Sequence, residues 1–249
     1  MQISIITATY NSASTIRDCI TSVNEQTFQN IEHIIIDGAS KDNTINIIKS
    51  IPNRILKIIS EPDKGIYDAM NKGIKLATGD IIGILNSDDL YTDNNVIKKI
   101  LVLFDTTSVD CIYADLYYVN KDNTNQIVRH WRTSEYIPEA FKKGWHPAHP
   151  TFFLKREIYE KYGLFNLDFA LAADFELMLR LLECHKITSS YLPEPIVRMR
   201  LGGATGKNIQ NIIKQNIECY RAFKQNGIKV SPLYPLYRLL PKLKQFFHE

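Results

Sequence analysis

Short apolar runs alternate with polar turns and helical stretches through the first part of the chain. Four β-branched runs, at residues 2–9, 31–36, 55–60 and 81–85, have the length of buried strands and end in polar residues. Between them, apolar residues recur every three or four positions, which is typical of helices packed on one face. Strands and helices that alternate at this spacing predict βαβ units and a parallel central sheet.

The pattern changes in the second half of the chain. Residues 109–120 and 126–133 predict two strands joined by a turn, as in an antiparallel hairpin. A loop rich in aromatic and histidine residues follows at 138–150. A long helix is predicted from about Lys207 to Asn226, with one apolar face directed inward. The residues of that face are Ile209, Ile212, Ile213, Ile217, Tyr220 and Phe223.

The last residues, 231–249, mix leucines and aromatic residues with lysine and arginine. This composition suits an interfacial helix on an anionic membrane, and equally a helix whose leucine face packs on the rest of the protein. Pro235 and Pro241 disfavour one long amphipathic helix. The pattern favours membrane contact and leaves both interpretations open.

Composition and charge exclude several classes of protein. Of the 249 residues, 45% are hydrophobic and 23% charged, as in soluble globular proteins, and the net charge of +3 gives no electrostatic case for nucleic-acid binding. The four cysteines are far apart, which predicts reduced thiols and neither a disulfide framework nor a zinc site. A signal peptide and a run of about 20 apolar residues are both lacking, so we expect a cytoplasmic protein.

Acidic residues follow three of the predicted strands, at Asp37, at Asp63 and at the pair Asp88–Asp89. Turn formation explains a single aspartate at such a place, and Asp88 or Asp89 could cap a helix after Tyr91. Adjacent carboxylates at the end of a buried strand are costly unless a cation lies nearby, and hard oxygen ligands suit Mg²⁺ or Mn²⁺. Ligands of open α/β sheets bind at the carboxyl ends of strands, so three acidic strand ends favour a ligand site.

An ordered set of motifs resembles the bacterial family 2 glycosyltransferases of GT-A fold. The motifs are the segments 7–11 (TATYN), 37–42 (DGASKD), 71–74 (NKGI), 79–80 (GD), 86–89 (NSDD) and 173–177 (ADFEL). Their order and spacing match the family from Ile3 to about Gly206. The resemblance implies the fold of nucleotide-diphospho-sugar transferases: a Rossmann-like, mostly parallel central sheet flanked by helices, with a C-terminal helical extension. It also implies inverting transfer from a nucleotide-sugar donor.

The predicted domain organisation follows from this match. Residues 1–206 form the catalytic domain, in which 1–90 are the nucleotide-binding half and 91–206 the acceptor-binding half. Residues 207–249 form the helical extension, which we expect to touch the membrane.

The resemblance implies roles for individual residues. Asp174 matches the catalytic base, for which an N-cap aspartate is the competing interpretation. Asp88 and Asp89 match the metal motif, which would hold Mn²⁺ or Mg²⁺ on the donor diphosphate. The residues expected to bind the nucleotide sugar are Thr7, Thr9, Tyr10, Asn11, Asp37, Ser40, Asp63, Lys64, Asn71, Asn86, Ser87 and Asp88.

Some candidate positions need separate weighing. Asn86 stands where the family's metal motif begins with aspartate, so one ligand charge is lost, although an amide oxygen can still contact a metal or ribose. His146 and His149 flank prolines in the aromatic loop. We favour His149 as a group near the diphosphate or the acceptor, and Glu176 is a further candidate there.

These features predict an inverting glycosyltransferase that moves a sugar, with UDP as the favoured carrier, to a lipid-linked saccharide. We expect it to act in O-antigen or capsule biosynthesis, at the cytoplasmic face of the inner membrane. A sugar nucleotidyltransferase would need a Gly-rich basic loop after the first strand, which residues 9–12 do not supply. A non-catalytic protein that binds sugar nucleotides or polysaccharide is the other alternative, against which Asp88, Asp89 and Asp174 together argue.

Overall fold

The computed structural model describes residues 1–52, 56–202 and 209–238. The strands are β1 (Ile3–Thr9), β2 (Ile31–Asp37), β3 (Leu56–Ser60), β4 (Ile81–Ile84), β5 (Leu90–Tyr91), β6 (Cys111–Val119), β7 (Ile127–Trp131), β8 (Phe153–Lys155) and β9 (Ser189–Arg200). The α-helices are α1 (Ile16–Asn24), α2 (Thr44–Ser50), α3 (Ile66–Leu76), α4 (Val96–Thr107), α5 (Arg156–Tyr162), α6 (Ala173–Leu179), α7 (Ile209–Gln225) and α8 (Tyr234–Tyr237).

The first half of the sheet is parallel, as the apolar runs predict. Strand β1 lies between β2 and β4, and β3 pairs with β2 on the outer side. Every residue of β1 and β2 is buried, because helices cover both faces of the sheet. Ile6 packs into one apolar cluster with residues of α3, and Ile5 into another with residues of α4. The carboxyl ends of these parallel strands therefore meet at one edge.

The second half of the sheet is mixed. Strand β8 lies antiparallel between β4 and β6, and β9 runs parallel to β6 on its other edge. Strands β6 and β7 form the antiparallel hairpin that the sequence predicts. Strand β9 also pairs with the short β5, which follows the metal motif. This pairing brings the end of β9 close to residues 86–89.

The structure corrects the predicted inward face of the long helix. Helix α7 buries Cys219, Ala222 and Phe223 in the same apolar cluster as Phe175 of α6. Four of the isoleucines predicted to face inward are exposed: Ile209, Ile212, Ile213 and Ile217. The reason is that another side of α7 packs against the body of the protein, and its buried residues are Asn216, Glu218, Cys219, Ala222 and Phe223.

Two observations concern the membrane. Within the described ranges, no helix has both the length and the apolar character that crossing a bilayer requires. The tail segment 239–249, for which membrane contact is predicted, lies outside the described residues.

Candidate active site

The loops after β1 and β2 are joined at the carboxyl edge of the sheet. The backbone N–H of Asn11 donates to Oγ of Ser40 at 2.7 Å, and the N–H of Lys41 donates to Oδ1 of Asn11 at 2.9 Å. Asn11 has a left-handed backbone with φ of 49°, which asparagine tolerates better than most residues. The two predicted nucleotide-binding loops thus hold each other in place.

Tyr10 and Asp63 lie against Gly38 at the ends of the first three strands. A Cβ atom at this position would lie 2.5 Å from Oδ2 of Asp63 and 3.4 Å from Cδ2 of Tyr10, so a larger residue would displace the carboxylate. The ring of Tyr10 is 59% exposed and Asp63 is half-buried. An exposed aromatic face beside a carboxylate can stack on a nucleobase and accept hydrogen bonds from a ribose. Lys64 is exposed at the rim of the same loop.

Asp37 is the last residue of β2, and its side chain lies inside the protein. It is fully buried, and its carboxylate accepts hydrogen bonds from the N–H and the hydroxyl of Ser40 and from the hydroxyl of Ser60. A buried carboxylate needs such donors, and these use its oxygens inside the protein. Asp37 therefore organises the loop that carries Ser40, and its contact with the nucleotide stays a prediction.

Thr7 and Asn71 are also engaged inside the protein. The hydroxyl of Thr7 is fully buried and lies 3.0 Å from Nε2 of His33. The side-chain amide of Asn71 pairs with the backbone of Phe165, accepting from its N–H at 3.0 Å and donating to its C=O at 2.9 Å. Both side chains have hydrogen-bond partners inside the protein, and their contact with the donor stays a prediction.

Residues 86–89 follow β4 and carry the predicted metal motif. Helix α4 begins only at Val96, so neither Asp88 nor Asp89 caps it, and the capping interpretation is removed. Asp89 is 1% exposed, and burial raises the pKa of its carboxyl well above the usual value, with the charge of Asp88 as a second cause. Oδ1 of Asp89 and Oδ1 of Asn86 are buried and have no hydrogen-bond partner among the residues that the structure describes.

These oxygens fit a divalent cation. Buried polar atoms without partners are rare and costly, and a hard cation would satisfy oxygens of this kind. Among the residues that the structure describes, no group of three or more His, Cys, Asp or Glu side chains is placed to hold a metal. The protein would supply only part of the coordination shell, and a diphosphate and water would supply the rest.

Two side chains hold the metal motif in position. Oγ of Ser87 lies 2.8 Å from Oγ of Ser12 in the loop after β1. Arg200, which is 5% exposed, donates to the backbone C=O of Asp88 at 2.7 Å and pairs with the carboxylate of Asp18. The sequence analysis missed Arg200, because no local pattern distinguishes it from other residues of a strand.

Asp174 lies in the first turn of α6, where three groups meet. Its Oδ1 accepts hydrogen bonds from the hydroxyl of Tyr67 at 3.0 Å and from the N–H of Phe175 at 2.8 Å. Its Oδ2 lies 3.3 Å from Nδ1 of His149. The capping position is Ala172, so Asp174 is not the N-cap residue.

His149 connects Asp174 to the metal motif. Its Nε2 lies 3.4 Å from Nδ2 of Asn86, and this amide also donates to Oδ2 of Asp89 at 3.4 Å. An amide N–H can only donate, so Nε2 accepts and Nδ1 carries the proton that faces Asp174. The structure thus brings Asp89, Asn86, His149 and Asp174 into one series of contacts.

The remaining two candidates, His146 and Glu176, make contacts outside this series. His146 packs edge-on against Trp131 and Phe175, at ring-centre distances of 5.2 and 5.6 Å. Glu176 is buried and accepts from Nε of Arg180 at 2.9 Å, and from Asn226 at 3.1 Å. Glu176 therefore links α6 to the residue that follows α7, and its contact with the acceptor or the diphosphate stays a prediction.

Tyr67 is the contact of Asp174 that the sequence analysis missed. Burial raises the pKa of its phenol well above the usual value, and the charge of Asp174 raises it further. The hydroxyl therefore stays protonated and remains a donor to Asp174. Its only sequence signal was its place in an apolar helix face, which indicated a core position.

Comparisons with known sequences show which proteins this chain is similar to. The family model described as Glycosyl transferase family 2 matches residues 4–163. One relative is the UDP-Glc:alpha-D-GlcNAc-diphosphoundecaprenol beta-1,3-glucosyltransferase WfaP of Escherichia coli. It is 29% identical over 231 residues, which cover 91% of this chain and 87% of that protein.

Solved structures share the fold. The mannosyltransferase PcManGT from Pyrobaculum calidifontis, in complex with GDP-Man and Mn²⁺, has a TM-score of 0.67 at 18% identity, over 96% of this chain and 69% of that chain. Residues 1–349 of TarS from S. aureus, in complex with UDP-GlcNAc, give 0.66 at 16% identity, over 99% and 73%. The chain spans 44% of a longer TarS structure. At these identities the likeness is one of fold.

Proposed function

Because the chain belongs to glycosyl transferase family 2 and is a glycosyltransferase of GT-A fold, we propose that it transfers a sugar from a nucleoside diphosphate to a lipid-linked acceptor, with inversion. The observation that carries the proposal is the series of contacts that runs from Asp89 through Asn86 and His149 to Asp174. It places a carboxylate suited to a general base beside oxygens suited to a cation.

The donor would lie along the strand ends of the nucleotide-binding half. Tyr10, Asn11, Ser40 and Asp63 lie around Gly38, where the nucleoside would bind, and Thr9, Lys64, Asn86 and Ser87 lie at the same edge. Asp88 and Asp89 would hold Mn²⁺ or Mg²⁺ on the diphosphate. When bound, the cation would neutralise the charge that develops on the leaving diphosphate. UDP is the favoured nucleotide, since the name of the relative WfaP specifies UDP-Glc.

Asp174 would take the proton of the acceptor hydroxyl. As the acceptor oxygen forms its bond to the anomeric carbon, the bond from that carbon to the diphosphate breaks, and the hydroxyl proton passes to the Asp174 carboxylate. Tyr67 and the N–H of Phe175 hold one carboxylate oxygen, and His149 faces the other. These contacts fix the orientation of the base.

The acceptor would be a saccharide on a lipid diphosphate, at the cytoplasmic face of the inner membrane. The name of WfaP specifies such an acceptor, and the similarity covers most of both chains. Ile209, Ile213 and Ile217 recur every fourth residue on the exposed side of α7, which suits contact with a lipid surface. Synthesis of O-antigen or capsule is the role that fits this acceptor.

A transfer assay tests the proposal. The purified protein would be incubated with Mn²⁺, UDP-glucose and a synthetic GlcNAc-diphospho-lipid, and the product analysed by mass spectrometry and by the anomeric coupling in its proton NMR spectrum. We expect a disaccharide with the β configuration, since UDP-glucose carries an α-linked sugar. An α-linked product would contradict inversion. Binding of a nucleotide without transfer from UDP-, GDP- or dTDP-sugars would favour a non-catalytic binding protein.

A further inference from the structure

Basic and aromatic side chains line a pocket of about 150 Å³. Arg238 contributes to it, and its other residues belong to the predicted acceptor-binding half. We call it the basic pocket; its principal residues are Arg129, Arg132, Lys143, Arg238, Trp131 and Trp145. His146 is the one candidate from the sequence that lines it, and the donor site described above does not use it.

The basic pocket adjoins the proposed base through Phe175. His146, which also lines the pocket, packs edge-on against this ring at 5.6 Å, and the guanidinium carbon of Arg238 lies 5.3 Å from its centre. The backbone N–H of the same Phe175 donates to Asp174. Phe175 thus contacts residues of the pocket lining through its ring and the proposed base through its backbone.

Arg238 is buried, with 2% of its surface exposed, and one terminal nitrogen donates to Oδ1 of Asn216 at 3.0 Å. Within the described part of the chain, its Nε has no hydrogen-bond partner. The ion pairs found among the described residues do not include Arg238. A buried guanidinium is costly unless an anion or several acceptors satisfy it, and here part of that capacity is unused.

Arg132 is held at the pocket by a buried aspartate. Oδ2 of Asp115 lies 3.0 Å from Nε2 of His130, and Nε of Arg132 donates to Nδ1 of the same ring at 3.1 Å. Asp115 also accepts from the N–H of Thr133 and the hydroxyl of Tyr191, so its oxygens already have partners. The series orients Arg132 and leaves its terminal nitrogens free of that contact.

We propose that the basic pocket binds the diphosphate through which the acceptor saccharide is joined to its lipid; this inference rests on the proposed function. Guanidinium groups bind phosphate oxygens in paired, charge-assisted hydrogen bonds, and Arg132 and Arg238 supply such groups around one cavity. Lys143 adds an ammonium group. The donor diphosphate has its own place at the metal motif. Trp131 and Trp145 offer apolar faces to the adjoining sugar or lipid.

The test is a calorimetric titration with geranyl diphosphate and, separately, with UDP. The pocket variant is Arg132→Ala/Lys143→Ala, since both residues are exposed and removing them leaves the core intact. The matched control is Lys75→Ala/Lys98→Ala, which removes the same charge from exposed positions on α3 and α4. Equal midpoints of thermal unfolding would show that both double variants are folded.

We expect the affinity for geranyl diphosphate to fall by about tenfold or more in the pocket variant and to stay unchanged in the control. The affinity for UDP should stay within about twofold in both, because UDP would bind at the metal motif. Inorganic pyrophosphate, titrated in EDTA, should show the same dependence on the pocket as geranyl diphosphate.

Unchanged affinity for geranyl diphosphate in the pocket variant would overturn the inference. A parallel loss of UDP affinity would overturn it too, since the cations would then serve the donor. These titrations measure binding and need no turnover. Their result therefore does not depend on whether the protein transfers a sugar, and the transfer assay tests the proposed function separately. A protein that binds geranyl diphosphate in the pocket but transfers no sugar would contradict the proposed function alone.

Discussion

Nδ1 of His149 lies 3.3 Å from Oδ2 of Asp174, and the other nitrogen of the same ring faces the amide of Asn86 at 3.4 Å. One imidazole thus joins the first turn of α6 to the loop after β4. The two segments are far apart in sequence, and this contact fixes the distance between the proposed base and the metal motif.

Tyr67→Phe should slow transfer while leaving donor binding intact. The change removes the hydroxyl that donates to Oδ1 of Asp174, a charge-assisted hydrogen bond worth about 1.5–3 kcal/mol. We expect kcat to fall roughly tenfold to a hundredfold, with the KM for the donor unchanged. Tyr234→Phe is the matched control, because the Tyr234 hydroxyl is buried without a partner. Equal kcat for wild type and Tyr67→Phe would show that this hydrogen bond does not position Asp174.

Asp88→Asn should remove the part of UDP binding that depends on Mn²⁺. A ligand at about a hundred times its Kd stabilises the folded protein by about 2.7 kcal/mol, which a thermal shift detects. We expect Mn²⁺ to enlarge the shift given by UDP in the wild type and in the exposed control Asp105→Asn, and to have no effect in Asp88→Asn. The same Mn²⁺-dependent shift in Asp88→Asn would place the cation elsewhere.

Asn86→Asp should make the protein less stable without metal and more responsive to it. The new carboxylate would lie beside Asp89, where the Asn86 amide now donates, and like charges repel. Mn²⁺ would relieve this repulsion and gain a charged ligand. We therefore expect a lower midpoint of unfolding in EDTA and a larger gain on addition of Mn²⁺ with UDP than in the wild type. A variant that is as stable as the wild type in EDTA would argue against the proximity of these two side chains.

His33 should make the protein less stable in mild acid. Burial lowers its pKa to about 4, whereas the unfolded chain should protonate it near the ordinary value of about 6.5. Below about pH 6.5 the unfolded state therefore binds a proton that the folded state does not, and the free energy of unfolding falls as the pH drops toward 4, by about 3 kcal/mol in total.

Urea unfolding of wild type and His33→Gln between pH 7.5 and pH 4.5, about the range over which this group changes charge, would measure the effect. Glutamine does not titrate, so the stability of the variant should fall less steeply with acid. The difference between the two proteins should not vary with pH above about pH 7. Parallel curves throughout would mean that His33 is protonated in the folded state.

The strand ends could be predicted from the sequence because they are marked locally. An apolar run followed by polar residues identifies Asp63 and Asp88 without reference to the rest of the chain. Arg200 and Tyr67 were missed because their partners, Asp88 and Asp174, are 112 and 107 residues away. A contact over such a distance leaves no pattern in a single sequence.

Side-chain direction was harder to predict than element type. Thr7 lies in a strand that is buried on both faces, so alternation of polar and apolar residues could not show that its hydroxyl faces His33. Helix α7 has apolar residues on two sides. The pattern alone did not reveal that Cys219 and Phe223 face the core while Ile213 and Ile217 face outward.

The central claim, that Asp174 is the base of a sugar transfer, is tested most directly by Asp174→Asn. Transfer would be measured alongside UDP affinity, with the exposed neighbour Asp168→Asn as the control. We predict that transfer falls by about 10²–10⁴ in Asp174→Asn while UDP affinity is retained, and that the control matches the wild type. Transfer at the wild-type rate by a correctly folded Asp174→Asn protein would contradict the account.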